Sequence, residues 1–475
     1  MAEAFFSQLA WSCINDGKSA ITAFTHSGEE EILRSRETFI LCNLAPMTGS
    51  PKAIEEAKIA YTNYIHRFFI HEVSRKAKLN DAGIFVVIPS YAEETLTDTL
   101  NSLASCIPTE TAVSVVVVIN GKDDDTPDQK LLNQRGFEAV SQLQTKSLHI
   151  HWVAIDATGI KDKNAGVGLA RKIGMDAVIL HVASSGENPA LVCLDADCIV
   201  AEDYLVRLET EFYQSSAQVA SLEFSHPVDE NTDPVLRKGI AEYEVYLEYY
   251  RLGLHYAGYP FFHHTVGSSM ACKALPYARS GGMNQRKAGE DFYFLHKLFP
   301  HYAFIAIYGP MVFPSCRIST PVPFGTGRFQ QKWTDEGASQ YLRYHPDCFR
   351  FLKIFLELTD EFLRADVPVE SPDFARFRSA HPGCEEWWKA TDLIPDLERI
   401  RRSSVKTDLR IKAFYAWFDG LAVLRFVHFF DPWLPFQPPA ESICNLVPQF
   451  SGRDPFQLVA AVRKHLYENP VSHSE

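Results

Sequence analysis

The sequence predicts an α/β fold, a mostly parallel sheet flanked by helices, with α-helical additions at both ends. Three observations carry this. Short β-branched runs without polar alternation recur between about residues 84 and 197, as in strands buried on both faces. Amphipathic stretches of helical length separate those runs, the alternation that builds parallel βαβ units. Towards both ends the apolar residues recur at helical spacing instead.

The elements follow in order. Ile59, Tyr61, Tyr64, Ile65, Phe68, Phe69 and Val73 make Ile54 to Leu79 a helix-like stretch, and Asn80-Asp81-Ala82-Gly83 then punctuates the chain. IFVVIP (84–89) is the first strand, with a helical pattern after it through Leu103. VSVVVVIN (113–120), a helix around 127–144 and LHIHWVAI (148–155) come next. A helix from about 164 to 183 leads to ALVCLDAD (190–197). Beyond 334 the pattern is helical again, with FRFLKIFLEL and FYAWFDGLAVLRFVHFF the most aromatic pieces. Asp419, Arg425, His428 and Asp431 interrupt the latter, and it lacks a lysine-rich polar face, which favours a packed helix over a membrane-surface one. The expected division is 1–80 as a helical extension, 81–335 as the α/β domain and 336–475 as a C-terminal helical region.

Composition bounds the function. The 475 residues carry 46 Lys+Arg and 59 Asp+Glu, a formal net charge of −13. That balance argues against a nucleic-acid partner, which needs a basic face to displace counterions. No run reaches the roughly 20 apolar residues of a transmembrane helix. The N-terminus lacks the basic start and apolar stretch of a signal peptide. Ten cysteines are scattered without a CxxC pair, which predicts reduced thiols and a cytoplasmic protein.

Ligands of an open parallel sheet bind outside the carboxyl ends of its strands, and four polar clusters fall at such ends. They are Pro89-Ser90-Tyr91-Ala92-Glu93-Glu94, then Asn120-Gly121-Lys122-Asp123-Asp124-Asp125. Asp156 with Lys161, Lys163, Asn164 and Arg171 is the third, and Asp195-Ala196-Asp197 the fourth. Carboxylates ending an apolar run are costly unless solvated, paired or bound to a cation. Two of them two residues apart can share one divalent metal that holds a diphosphate, as Mg²⁺ characteristically does. No GxxxxGK[ST] loop and no glycine-rich GxGxR-type loop is present, which speaks against P-loop chemistry and nucleotidyl transfer.

In combination these segments resemble the family 2 nucleotide-sugar glycosyltransferases, whose fold is called GT-A and is Rossmann-like. The resemblance runs from about Ile84 to Trp333. FVVIPSYAEE is similar to the family's first strand and its P-[ST]-Y-N-E turn, with Ala92 in place of the usual Asn. VVVVINGKDDDT resembles the second strand, with Asn120 where an Asp usually faces the nucleobase. KNAGVGLARKIGMDAV resembles the segment flanking the diphosphate, and LVCLDADCIVAEDYL the strand–DxD–helix arrangement. GSSMACKALPYARSGGMNQRKAGEDFYFLHKL resembles the acceptor-side segment.

The resemblance implies a metal-dependent enzyme moving a single sugar from a UDP- or GDP-sugar to a hydroxyl acceptor, with inversion. Asp195 and Asp197 would hold Mg²⁺ or Mn²⁺. Pro89, Ser90, Tyr91, Glu93, Asn120, Lys163, Arg171, Ala196 and Arg328 would line the nucleotide-sugar site. Glu290 and Asp291 would be catalytic, with Asp291 as general base, held ionised by backbone N–H groups at a helix N-terminus. In RISTPVPFGTGRFQQKW (317–333), Arg317, Arg328, Lys332 and Trp333 are candidates for phosphate pairing and sugar stacking. Gln330-Gln331-Lys332-Trp333 departs from the Gln-x-x-Arg-Trp motif of processive relatives. His263 and His264 precede the acceptor-side segment; a third metal ligand is one reading of either, and ordinary hydrogen-bonded histidines are the favoured one. A retaining enzyme and a catalytically silent sugar-nucleotide-binding protein are the alternative readings. The helical ends carry no readable motif; shaping the acceptor pocket, forming a homodimer and covering the sheet are all open to them. A lipid acceptor would bring the protein to a membrane surface.

Overall fold

β-Branched runs assemble into one sheet. In this computed structural model the described residues are 50–68, 70–146, 149–160, 166–229, 232–284, 289–318, 325–337, 343–365 and 374–470. The α/β class expected from the sequence is the one adopted: a mixed eight-stranded sheet with the order β3-β2-β1-β4-β7-β6-β8-β5, and helices flanking it. The strands are β1 (Ile84–Ser90), β2 (Val113–Asn120), β3 (Ile150–Ala157), β4 (Ala190–Cys193), β5 (Cys198–Val200), β6 (Val219–Phe224), β7 (Met270–Lys273) and β8 (Phe304–Pro314). β3, β2, β1 and β4 run parallel. β7 is antiparallel to both β4 and β6, and β5 to β8, while β6 and β8 are parallel.

The chain divides into two compact units. The first comprises 46–232 and 263–317, and contains the whole sheet. Every residue of β1 is buried, as are the first seven of β2, so both faces of these strands are covered. The helix Val167–Val182 lies on β1 and β2, and Gly174 makes the approach possible. A Cβ there would stand 2.5 Å from Val87 Cγ1 and 3.0 Å from Val118 Cγ2. The expected helix over Ile54–Leu79 is interrupted. One helix spans Pro51–Arg67, with Ser50 accepting from the Ala53 N–H at 3.2 Å, and a second spans Glu72–Lys76. Phe68 is extended, which lets Tyr64 and Ser74 turn towards the Val167–Val182 helix. Tyr64 donates to Asp176 Oδ1 at 2.6 Å, and Ser74 to the Ile173 carbonyl at 2.9 Å.

The second unit contains the helices of 233–262 and 318–475. Its core is aromatic. Phe355 of the helix Asp347–Arg364 is fully buried, with the rings of Trp387 and Phe418 centred 5.1 and 5.2 Å away. The aromatic run at 414–430 forms two packed helices, Thr407–Trp417 and Gly420–Phe429. Asp419 separates them by accepting the Leu421 and Ala422 N–H groups at 3.0 Å each. Its Val423, Leu424, Phe426 and Val427 are buried. Among the described residues no helix is long and apolar enough to cross a membrane.

Candidate active site

The carboxyl ends of β1 and β2 are tied together by two polar side chains. Asp125 is buried; its Oδ1 accepts from the Tyr91 hydroxyl at 2.6 Å and its Oδ2 from the Lys122 N–H at 2.7 Å. Asn133, from the helix Pro127–Lys146, donates to the Asn120 carbonyl at 3.1 Å and accepts from the Ala92 N–H at 2.8 Å. Pro89 and Ser90 end β1, fully within the sheet, and Asn120 ends β2, half-buried. Burial first, then the hydrogen bond to Asp125, pushes the Tyr91 phenol up to about 12. Ala92 has φ 45°, in the left-handed region that disfavours residues with a Cβ.

β4 stops at Cys193, and Asp195-Ala196-Asp197 forms the turn into β5. Thr99, buried on the helix Leu96–Ala104, donates to the Ala196 carbonyl at 2.8 Å, and the Cys198 N–H closes the turn on the Asp195 carbonyl at 3.2 Å. Ala196 is buried while the two carboxylates remain partly open to solvent. Asp197 is raised to about 6. Burial contributes most, then repulsion from Asp195 and Glu93, against which Arg317 acts. Glu93 is itself fixed by the Thr95 N–H and hydroxyl at 3.0 and 2.8 Å, and it pairs with Arg317.

Repulsion among neighbouring carboxylates is relieved when a hard divalent cation binds them. Among the described residues no group of three or more His, Cys, Asp and Glu side chains is placed to hold a metal ion. Asp195 and Asp197 nevertheless suffice for the kind of Mg²⁺ site completed by substrate phosphates and water, so the residues present fit such an ion.

Arg171 connects this turn to the acidic helix start. It lies on the Val167–Val182 helix, 3% exposed, and its two terminal nitrogens are spent on Asp195 and on Glu290. Read in the sequence as a residue of the nucleotide-sugar site, it is paired with two carboxylates in the structure. Gly267 makes the space, since a Cβ there would stand 2.4 Å from the guanidinium. Glu290 and Asp291, both buried, open the helix Glu290–Leu298. The Asp291 carboxyl accepts the Phe292 N–H at 2.8 Å. That bond and Arg171 do not outweigh burial and the neighbouring Glu290, which push it up to about 7. Asp291 is therefore a weaker acid than its helix-terminal position alone implies.

The remaining candidates belong to other segments of the chain. Lys163, with Lys161 and Asn164, lies outside the described residues. Arg328 is exposed on the helix Thr326–Glu336 of the helical unit. Trp333, on the same helix, is buried with Phe329, Tyr243 and Tyr246, so its ring is occupied by packing. The His264 ring lies 4.8 Å from that of Phe224, and the His263 ring 4.5 Å from that of Phe304. Asn133 and Thr99 are the participants that motif reading passes over. Their only sequence signal is position, on helices directly after the loops that follow β2 and β1.

No protein-family model matches the chain, and no curated protein matches it. Solved structures match it at low similarity. TarS 1–349 of S. aureus, in complex with UDP-GlcNAc, is 14% identical with a TM-score of 0.35, covering 81% of this chain and 91% of that one. The mannosyltransferase PcManGT of Pyrobaculum calidifontis, in complex with GDP-Man and Mn²⁺, is 13% identical with a TM-score of 0.33, covering 80% and 95%. Glucosyl-3-phosphoglycerate synthase of Mycobacterium tuberculosis, with Mn²⁺, UDP and phosphoglyceric acid, is 13% identical with a TM-score of 0.32, covering 61% and 85%. Likeness this low assigns no activity to the present chain.

Proposed function

We propose that this protein is a metal-dependent glycosyltransferase that moves one sugar from a nucleoside-diphosphate sugar to a hydroxyl acceptor with inversion. One observation carries the reading. Arg171 joins Asp195, in the turn that follows β4, to Glu290, beside a buried carboxylate raised to about 7. A single guanidinium thereby joins the acidic turn after β4 to the start of the helix that carries Asp291.

The roles follow from the chemistry of each group. Tyr91, Asn120, Asp125 and Asn133 would form the rim on which a nucleoside rests. Asp195 and Asp197 would hold Mg²⁺ or Mn²⁺, which supplies Lewis-acid neutralisation of charge on the departing diphosphate. Asp291 takes the proton of the acceptor hydroxyl as that oxygen bonds to the anomeric carbon. The bond from that carbon to the diphosphate oxygen breaks on the opposite face, and its electron pair leaves with the nucleoside diphosphate. A carboxylate near 7 suits this task, because a base works best when its pKa lies near the working pH. Arg171 positions Glu290 and Asp195 and touches neither substrate. Lys163 remains a candidate for the donor phosphates.

The test is kinetic. Asp291 acts in its ionised form, so kcat/KM should rise with pH and level off above about 7. Asp291→Asn should lower kcat by roughly 10²–10⁴-fold, the usual contribution of a positioned base, while leaving UDP or GDP binding intact. Near-normal transfer by Asp291→Asn, alongside loss in Asp197→Asn, would remove the base assignment. Retention of anomeric configuration in the product, read by NMR, would remove inversion.

A further inference from the structure

Arg317 carries a consequence for how the donor enters. It follows β8, and one of its terminal nitrogens serves two carboxylates. It is hydrogen-bonded to Glu93 and stands 3.7 Å from Asp197 Oδ2. The two contacts differ in kind. Glu93 is anchored by Thr95, so the guanidinium is tethered there. The distance to Asp197 is beyond hydrogen-bonding range, leaving an electrostatic contact with little geometric hold. The side chain is 36% exposed, so it can pivot about its tether, and its buried Nε has no hydrogen-bond partner.

We infer that Arg317 is a resident counter-cation of the donor site. It neutralises Asp197 in the empty protein, must give up that contact when a divalent cation binds, and so keeps the cation from binding firmly without its nucleotide. The inference rests on the donor-site reading of Asp195 and Asp197. A cation arriving alone displaces a guanidinium that gains nothing in return. A cation arriving with a diphosphate brings new oxygens for the displaced guanidinium, including its unused Nε–H, because Arg pairs readily with phosphate. Metal and nucleotide then bind with positive coupling, each raising the affinity for the other by the same factor.

Calorimetric titration with Mn²⁺ alone, and with Mn²⁺ in the presence of saturating UDP or GDP, tests this without any turnover. Arg317→Gln should bind Mn²⁺ alone roughly fivefold more tightly than the wild type, the upper end of an exposed ion pair's contribution. The gain in Mn²⁺ affinity on adding nucleotide should shrink. Arg317→Lys keeps the charge and should stay nearer to the wild type in both respects. Unchanged or weaker Mn²⁺ binding by Arg317→Gln, in a protein whose wild type binds Mn²⁺ with nucleotide, would overturn the counter-cation role and leave the donor site standing. A wild type that binds no Mn²⁺ with either nucleotide would overturn both.

Discussion

Ala92 is the residue at which local backbone and side chain disagree. Its φ of 45° asks for Gly or Asn, and its N–H is fixed by Asn133 in the loop that leads to Glu93. Relieving the Cβ strain should outweigh the added chain entropy of glycine, so Ala92→Gly is expected to stabilise the fold by about 1 kcal/mol. A rise in the urea midpoint with unchanged slope would check it. At this scale sequence reading located the acidic groups but not their partners. Asp195 and Asp197 stood out because carboxylates ending an apolar run need an explanation, and Glu290 and Asp291 stood out through the resemblance of their segment. For Arg171 a sequence shows the charge and not the carboxylates it pairs with. Thr99 and Asn133 were silent, since their bonds reach residues 97 and 41 positions away.

The strands nearest the expected site were legible as elements because burial on both faces leaves no polar alternation. β2 was predicted over 113–120 and found there. β6, β7 and β8 were harder. β7 has four residues, and β8 is half-open along much of its length, so neither makes a distinctive run. The Pro51–Arg67 helix was read too long, since helical spacing continues past Phe68 although the backbone does not. Packing of helix on sheet depends on glycine in a way periodicity does not reveal. Gly174→Ala should destabilise by about 1–2 kcal/mol, because crowding against Val87 and Val118 exceeds the helix-propensity gain. Gly136→Ala makes a useful control, as its nearest neighbours are the ends of Leu96 and Ile119 at 3.1 and 3.2 Å. Chemical denaturation of the two variants should show a clear loss only for the first.

At the scale of the molecule, two compact units each have their own apolar interior, one built on β-branched strands and one on aromatic helices. Separate cores predict unfolding that is not a single two-state event. Scanning calorimetry should give a measured enthalpy larger than the van't Hoff value; a ratio of one would mean that the units melt together. The total charge of −13 also changes meaning once the site is in view. A predominantly acidic protein can take a doubly charged anion where basic groups are held locally, and where the ligand brings a cation of its own.

The enclosure of Arg171 by Gly267 has a further consequence. The relative placement of the two acidic segments is written partly in a residue that has no side chain at all. Gly267 contributes a vacancy, and that vacancy specifies where a guanidinium can settle and hence which carboxylates meet. A catalogue of functional groups would pass over this position, yet a single methyl group there would rewrite the address of every group that Arg171 holds.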